Sequence, residues 1–201
     1  MLPISEIFLT VQGEGIHAGT PAMFVRLQGC DVGCPWCDTK HSWLAINAKM
    51  TAAPAELVRV LVHEYGLLPH HLVVITGGEP CTYDLRELTA TLHDKGYKVQ
   101  IETSGTYPVK CDDRTWVTVS PKIDMPGKRP IVASAIERAD EIKFVVGKEE
   151  DVDTAIAMSG ETHLYLQPVS QSKKATQICV DACIRTGAHL SLQTHKYIGI
   201  E

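Results

Sequence analysis

Short apolar runs bounded by glycine and proline recur along the chain, with stretches of helical periodicity between them. Strict alternation of apolar and polar residues is scarce. This arrangement is typical of repeated strand–helix units. It predicts strands, in chain order, over residues 6–11, 22–28, 72–76, 98–102, 117–119, 141–146, 163–166 and 189–193.

The helices predicted between these strands have conventional start and stop signals. The first begins near Pro54 with Thr51 as its cap, and it ends before Gly66. Further helices are predicted over 84–95, 131–139, 149–158 and 173–185. The repeated order predicts an α/β fold with a parallel sheet, either doubly wound or curled into a partial barrel.

Polar and glycine-rich motifs follow the predicted strands at their carboxyl ends. In parallel α/β folds, ligands bind at this edge of the sheet. We therefore expect one site, built from several loops. The motifs are Gly29-Cys30, Gly77-Gly78-Glu79-Pro80, Thr103-Ser104-Gly105, Ser120-Pro121-Lys122, Gln167-Pro168 and Thr194-His195-Lys196.

The composition of the chain limits the classes of protein to which it can belong. With 201 residues and 44% hydrophobic content, the chain is expected to form a single domain, 1–201. A net charge of -5 argues against nucleic-acid binding, and basic pairs such as Lys128-Arg129 are predicted to be solvated surface. No apolar stretch is long enough for a membrane span, and no secretory signal is evident. Seven cysteines, an odd number, favour a reducing compartment, so we expect a cytoplasmic protein.

The densest polar motif is a cysteine triplet, Cys30, Cys34 and Cys37, with the spacing C-x3-C-x2-C. Three thiolates are suitable ligands for a soft metal or an iron–sulfur cluster. Because a structural zinc site needs a fourth ligand, the simplest interpretation is a metal group with one open coordination position. The alternatives are a zinc site completed by His41 and a set of buried thiols without a metal.

The triplet and the later Gly-Gly-Glu-Pro together resemble the radical S-adenosylmethionine (SAM) superfamily. The resemblance implies that the three cysteines hold three irons of a four-iron, four-sulfur cluster and that SAM binds the fourth. An electron from the reduced cluster then cleaves SAM to a 5'-deoxyadenosyl radical. Gly77 and Gly78 would let the backbone approach the methionine amino group of SAM.

Further motifs resemble one family within that superfamily, the 7-carboxy-7-deazaguanine synthases. They are Gln12-Gly13-Glu14-Gly15, Cys34-Pro35-Trp36-Cys37-Asp38-Thr39, Ser120-Pro121-Lys122, Gln167-Pro168 and Gln193-Thr194-His195-Lys196. The resemblance runs from about residue 6 to the last residue. It implies a partial, trimmed (β/α) barrel of about six parallel strands with fewer helices than strands. It also implies ring contraction of 6-carboxy-5,6,7,8-tetrahydropterin to 7-carboxy-7-deazaguanine with release of ammonia, a step in queuosine biosynthesis.

The same resemblance implies a role for each matching residue. Thr39 would be a ligand of Mg²⁺, together with the substrate carboxylate, since this cation prefers oxygen. The implied contacts to SAM are Trp36, Asp38, Gly78, Ser120, Pro121, Lys122, Gln167 and Pro168. The implied contacts to the pterin are Val11, Gln12, Gly13, Arg26, Thr76, His195 and Glu201.

Partners follow from the same family. We expect a homodimer and an electron donor such as flavodoxin or ferredoxin. The alternative enzyme is a glycyl-radical activase, which would need a flat surface for a protein substrate and would leave the motifs at Gln12 and Thr194 unexplained. The alternative without enzyme activity is an electron carrier or a zinc-stabilised binding module.

Overall fold

The computed structural model describes residues 1–200. Glu201, one of the expected pterin contacts, lies outside the described residues. Nine strands form one sheet in the order β3-β1-β2-β4-β5-β6-β7-β8-β9. The seven strands from β2 to β9 in this order are parallel, while β1 pairs antiparallel with both β2 and β3.

The elements alternate as the sequence predicts over most of the chain, and among residues 1–200 the six α-helices are fewer than the nine strands. The strands are β1 (Leu2–Val11), β2 (Pro21–Leu27), β3 (Met50–Ala52), β4 (Leu72–Gly77), β5 (Lys98–Thr103), β6 (Trp116–Val119), β7 (Glu141–Val146), β8 (His163–Pro168) and β9 (His189–Leu190). The helices are α1 (Pro54–His63), α2 (Arg86–Asp94), α3 (Ala133–Glu137), α4 (Glu149–Ser159), α5 (Lys173–Thr186) and α6 (Thr194–Ile198).

The prediction that Thr51 caps the first helix is wrong. Thr51 lies in β3 and pairs with Pro3 of β1, so its backbone is extended and part of the sheet. Ala53 occupies the cap position of α1, and Pro54 starts the helix, where its missing N–H costs no hydrogen bond. Two short elements, β3 and α6, have no counterpart among the sequence predictions, and the last predicted strand is only two residues long.

The two faces of the parallel strands differ in polarity, and this difference places the site. Val99 and Ile101 of β5 are buried in the apolar core with α1 and α2. Gln100, between them, points to the opposite face, where its side-chain amide donates to Thr118 of β6 at 2.9 Å. Glu141 and Lys143 of β7 are also buried and polar. The concave inner face of the sheet is therefore a polar surface.

The helices of residues 1–200 were compared with the requirements of a membrane span. None of them combines the length and the apolar character that a bilayer span requires.

Candidate active site

A cavity of about 570 Å³ opens at the carboxyl edge of the parallel strands. It draws on nearly every motif that the sequence places at this edge. The expected site residues that line it are Val11, Gln12, Gly13, Arg26, Cys30, Cys34, Trp36, Cys37, Asp38, Thr39, Thr76, Gly78, Ser120, Lys122, Gln167, Pro168 and His195. Pro121 is buried and does not line the cavity.

The cysteine triplet occupies the loop after β2, which we call the cluster loop (residues 29–39). The backbone N–H of Cys30 donates to Trp43 O at 2.9 Å, and that of Cys37 donates to Cys34 O at 3.1 Å. The indole N–H of Trp43 points at Cys37 Sγ, 3.3 Å away. All three thiols are free, half-buried and directed at the cavity.

The surroundings of the cysteines suit a group that they hold as thiolates. Burial raises the pKa of the Cys30 and Cys34 thiols, because a lone thiolate is poorly solvated there. The Lys122 ammonium acts in the opposite direction on Cys34. A bound iron deprotonates a coordinating thiol outright, because its positive charge stabilises the thiolate that the apolar surroundings solvate poorly.

The geometry of the cysteine triplet distinguishes a single metal ion from a four-iron cluster. Among residues 1–200, no three Cys, His, Asp or Glu side chains converge as ligands of a single metal ion. A four-iron cluster offers a separate iron to each thiolate, so its cysteines need not converge on one point. His41, the fourth ligand of the zinc alternative, has its Nε2 3.4 Å from Glu6 Oε1.

The Gly-Gly-Glu-Pro motif packs against the start of the cluster loop. The Gly78 N–H donates to Leu27 O at 2.9 Å, and the Glu79 N–H donates to Gly29 O at 2.8 Å. A Cβ on Gly78 would lie 2.0 Å from Gly29 O, and Gly77 has a φ of +124°. Gly78 is therefore required by the close backbone approach to the cluster loop, and Gly77 by the approach to β2, where an added Cβ would lie 2.2 Å from Leu27 O.

Glu79 is a site residue that the sequence analysis names only as part of the Gly-Gly-Glu-Pro motif, without a role of its own. Its side chain is buried and accepts four hydrogen bonds. The donors are the Cys81 N–H at 2.8 Å, the Thr103 hydroxyl at 2.6 Å, and the Ser104 N–H and hydroxyl at 2.8 and 2.5 Å. This carboxylate ties the loop after β4 to the carboxyl end of β5 at the wall of the cavity.

A buried charge network forms the floor of the cavity. The Lys143 ammonium donates to Glu14 and, at 3.2 Å, to Glu102. The side-chain amide of Gln12 donates to Glu102 at 3.0 Å, and that of Gln193 donates to Glu14 at 2.9 Å. The segment around Glu14 thus closes the open side of the sheet by inserting polar side chains into its concave face.

The charges in this floor stabilise each other. Burial would raise the pKa of Glu14, but the adjacent Lys143 outweighs it and holds the pKa at about 2. Burial would lower the pKa of Lys143, but Glu102 and Glu14 raise it above its ordinary value. Glu14 and Lys143 are therefore both ionised at neutral pH. The motif at Gln12 is visible in the sequence, whereas Glu102 and Lys143 look like ordinary strand residues.

The C-terminal helix α6 closes the cavity on the side of β1. The Thr194 N–H and hydroxyl donate to Gly13 O at 3.1 and 3.0 Å, and Lys196 donates to Asp38 at 2.8 Å. A Cβ on Gly13 would lie 2.3 Å from His195 Nδ1. Burial lowers the pKa of His195, which favours a neutral imidazole facing the cavity.

Two polar side chains lie on the antiparallel edge of the cavity. Arg26 pairs with Glu6 and lies over the ring of Phe8, 5.5 Å from its centroid, so it is held in place within the protein. Thr39 has its hydroxyl oxygen 3.6 Å from Cys37 Sγ. A hard-cation ligand would therefore adjoin the cluster ligands.

The opposite wall carries Ser120, Lys122 and Gln167. Lys122 donates to the Ser120 hydroxyl, and burial lowers its pKa. Gln167 is buried and accepts from the Ser191 hydroxyl at 2.9 Å. Its amide nitrogen remains available for a ligand in the cavity.

Comparisons with known proteins identify the class of this chain. Residues 24–116 match the model of the Radical SAM superfamily. The crystal structure of QueE from Escherichia coli superimposes with a TM-score of 0.86 at 43% identity, covering 95% of this chain and 93% of that one. The class of protein is thus a radical SAM enzyme, for which the family implies a four-iron, four-sulfur cluster and SAM.

Curated relatives define the family more narrowly. The 7-carboxy-7-deazaguanine synthase of Escherichia coli (strain K12) is 44% identical over 98% of each chain. The 7-carboxy-7-deazaguanine synthase of Synechocystis sp. is 41% identical over 98% of this chain and 93% of its own. The chain belongs to the 7-carboxy-7-deazaguanine synthase family and is an enzyme of the lyase class.

Proposed function

We propose that this single-domain chain converts 6-carboxy-5,6,7,8-tetrahydropterin to 7-carboxy-7-deazaguanine and releases ammonia. The observation that carries this proposal is one cavity lined both by the cysteine triplet and by the Gln12 and His195 motifs. When bound, the cluster and SAM supply the radical that takes a hydrogen atom from C6 of the pterin. A concave cavity of about 570 Å³ suits a small molecule better than the backbone glycine of a protein substrate.

The residues of the chain bind and orient the cluster, SAM and the substrate. Cys30, Cys34 and Cys37 hold the cluster, because they present three free thiols to one cavity. Trp36, Asp38, Gly78, Ser120, Lys122, Gln167 and Pro168 are proposed to contact SAM. Pro121 acts behind them by fixing the backbone between Ser120 and Lys122, since it is buried away from the cavity.

The pterin is proposed to lie against Val11, Gln12, Gly13, Arg26, Thr76 and His195. Arg26 offers a guanidinium to the substrate carboxylate, and the neutral His195 can accept or donate one hydrogen bond at the ring edge. Thr39 is proposed as a ligand of Mg²⁺, with the substrate carboxylate completing the site, since Thr39 lines the cavity and its hydroxyl oxygen lies 3.6 Å from Cys37 Sγ.

The assay uses anaerobically reconstituted protein with SAM, a reductant, Mg²⁺ and the carboxypterin. Formation of the deazaguanine product is the expected result. An intact cluster without that product would refute the proposal. Zinc without iron or sulfide in the purified protein would instead favour the binding module.

The setting of the reaction completes the proposal. A reducing compartment, the cytoplasm, keeps the cluster thiols available. A homodimer is the expected assembly, and sedimentation of the purified chain tests it. A small redox protein such as flavodoxin or ferredoxin is proposed as the physiological electron donor.

A further inference from the structure

The turn that follows the cluster loop brings an indole to one of the three cysteines. Trp43 Nε1 donates to Cys37 Sγ at 3.3 Å, within the range of a hydrogen bond to sulfur. Trp43 is half-buried and lines the cavity, yet none of the sequence motifs contains it. Hydrogen bonds to the sulfurs around a cluster are one of the means by which a protein sets the cluster's reduction potential.

Buried hydrogen bonds on both sides of Trp43 hold this turn in place. The side-chain amide of Gln28, which is only 1% exposed, donates to His41 O and to Leu44 O, each at 2.8 Å. The carbonyl of Trp43 also binds the cluster loop, since it accepts from the Cys30 N–H at 2.9 Å. The position of the indole is therefore fixed by the fold rather than by contact with a bound group.

The sulfur of Cys37 faces two side-chain donors. Besides the Trp43 indole, the Thr39 hydroxyl oxygen lies 3.6 Å from the same sulfur. A cysteine bound to iron is a thiolate without a proton, so the indole N–H and the hydroxyl can only donate to it. Lys40 Nζ lies 5.9 Å from the ring centroid of Trp43, and its charge draws electron density from the ring, which strengthens the indole N–H as a donor.

We propose that Trp43 is a positioning residue that holds the Cys37 thiolate and stabilises the reduced form of the cluster. This inference rests on the proposed function, because it needs a cluster on the cysteine triplet. The reduced cluster carries one more negative charge, part of which lies on the ligand sulfurs, so a donor at Cys37 Sγ favours it over the oxidised form. A low-potential one-electron donor is oxidised as the cluster is reduced, and the indole keeps its proton throughout.

The test removes the indole N–H and keeps an aromatic ring beside Lys40, which is the change Trp43→Phe. The matched control is Trp116→Phe, because Trp116 does not line the cavity and its indole makes no hydrogen bond within residues 1–200. The reduction potential of each anaerobically reconstituted protein is measured by redox titration, followed by the electron paramagnetic resonance signal of the reduced cluster. Iron and sulfide are determined in the same samples. SAM and the pterin are left out, so the readout does not depend on turnover.

We expect Trp43→Phe to bind iron and sulfide like the unmodified protein. The equilibrium should shift toward the oxidised cluster by about tenfold, which lowers the potential of a one-electron couple by about 59 mV. Trp116→Phe should leave the potential unchanged. An unchanged potential in Trp43→Phe at full iron content, or an equal shift in Trp116→Phe, would overturn the proposal.

A second measurement decides the matter even where Trp43→Phe fails to hold a cluster. The chain has three tryptophans, Trp36, Trp43 and Trp116. With isotope-labelled indole nitrogen, electron–nuclear double resonance of the reduced, unmodified protein should show one weak nitrogen coupling, because the hydrogen bond places Nε1 next to a ligand sulfur. The coupling should persist in Trp36→Phe and in Trp116→Phe, which leaves Trp43 as its source. No coupling in the unmodified protein, or its loss in Trp36→Phe, would refute the role of Trp43.

The proposed function and this inference fail in different ways. Product formation by the unmodified protein, together with equal potentials in all variants, contradicts the role of Trp43 alone. A cluster that assembles without supporting product formation contradicts the proposed function, and the potential shift in Trp43→Phe can still be measured on it.

Discussion

Replacing Lys143 by Met tests the buried charge network in the floor of the cavity. The two side chains have similar length, so the change removes the ammonium and leaves little empty space. Glu14 and Glu102 would then face each other in a site where Lys143 is only 5% and Glu14 only 13% exposed. Removing one partner of a buried ion pair leaves an uncompensated charge, which costs more than the pair itself contributes.

The magnitude follows from the pKa of Glu14. A shift from the ordinary 4.5 to about 2 corresponds to about 3 kcal/mol of stability at neutral pH. This contribution is fully present above the unfolded pKa and is lost as the pH falls through about 2. Lys143→Met should therefore lower the free energy of unfolding by about 3 to 5 kcal/mol at pH 7. The difference from the unmodified protein should shrink steadily below about pH 4.5.

Urea unfolding of the metal-free protein at pH 7 and at pH 3.5 measures both effects. The control is Lys148→Met, an exposed lysine 4.0 Å from Glu150, which should change stability by less than about 0.5 kcal/mol. The double variant Lys143→Met with Glu14→Gln should be more stable than Lys143→Met alone. A loss below about 1 kcal/mol at pH 7, or a loss independent of pH, would refute the account of the network.

Three other changes test the site. Cys34→Ala should abolish the brown cluster absorbance and SAM cleavage, whereas Cys183→Ala should keep both; a Cys34 variant with an intact cluster would disprove the ligand assignment. Thr39→Ala should keep the cluster but weaken the dependence of product formation on Mg²⁺, and an unaltered Mg²⁺ titration would count against that role. Gly13→Ala places a Cβ 2.3 Å from His195 Nδ1, so turnover should fall at least about tenfold with an unchanged cluster spectrum; normal turnover would show that His195 need not be held there.

Local sequence patterns were sufficient to predict those helices and strands that depend mainly on residues close together in the chain. The strands from β4 to β8 and the helices between them were predicted because apolar runs, caps and glycine stops are short-range signals. The cysteine spacing and the strand-end motifs likewise predicted the edge where the cavity lies. The exception among the local signals was Thr51, which looks like a cap but is paired with Pro3 in the sheet.

The sequence by itself determined the class of fold, the cysteine triplet and the family resemblance, because each is carried by residues close together in the chain. Only the tertiary structure decided what surrounds them. Lys143 meets Glu14 across 129 positions, and Lys196 meets Asp38 across 158. No local pattern encodes such pairs, since they form only when the sheet curls and both chain ends close the same cavity. The role of Glu79 was decided in the same way, because three of its four donors belong to Thr103 and Ser104 at the end of β5, which the parallel pairing with β4 brings next to it.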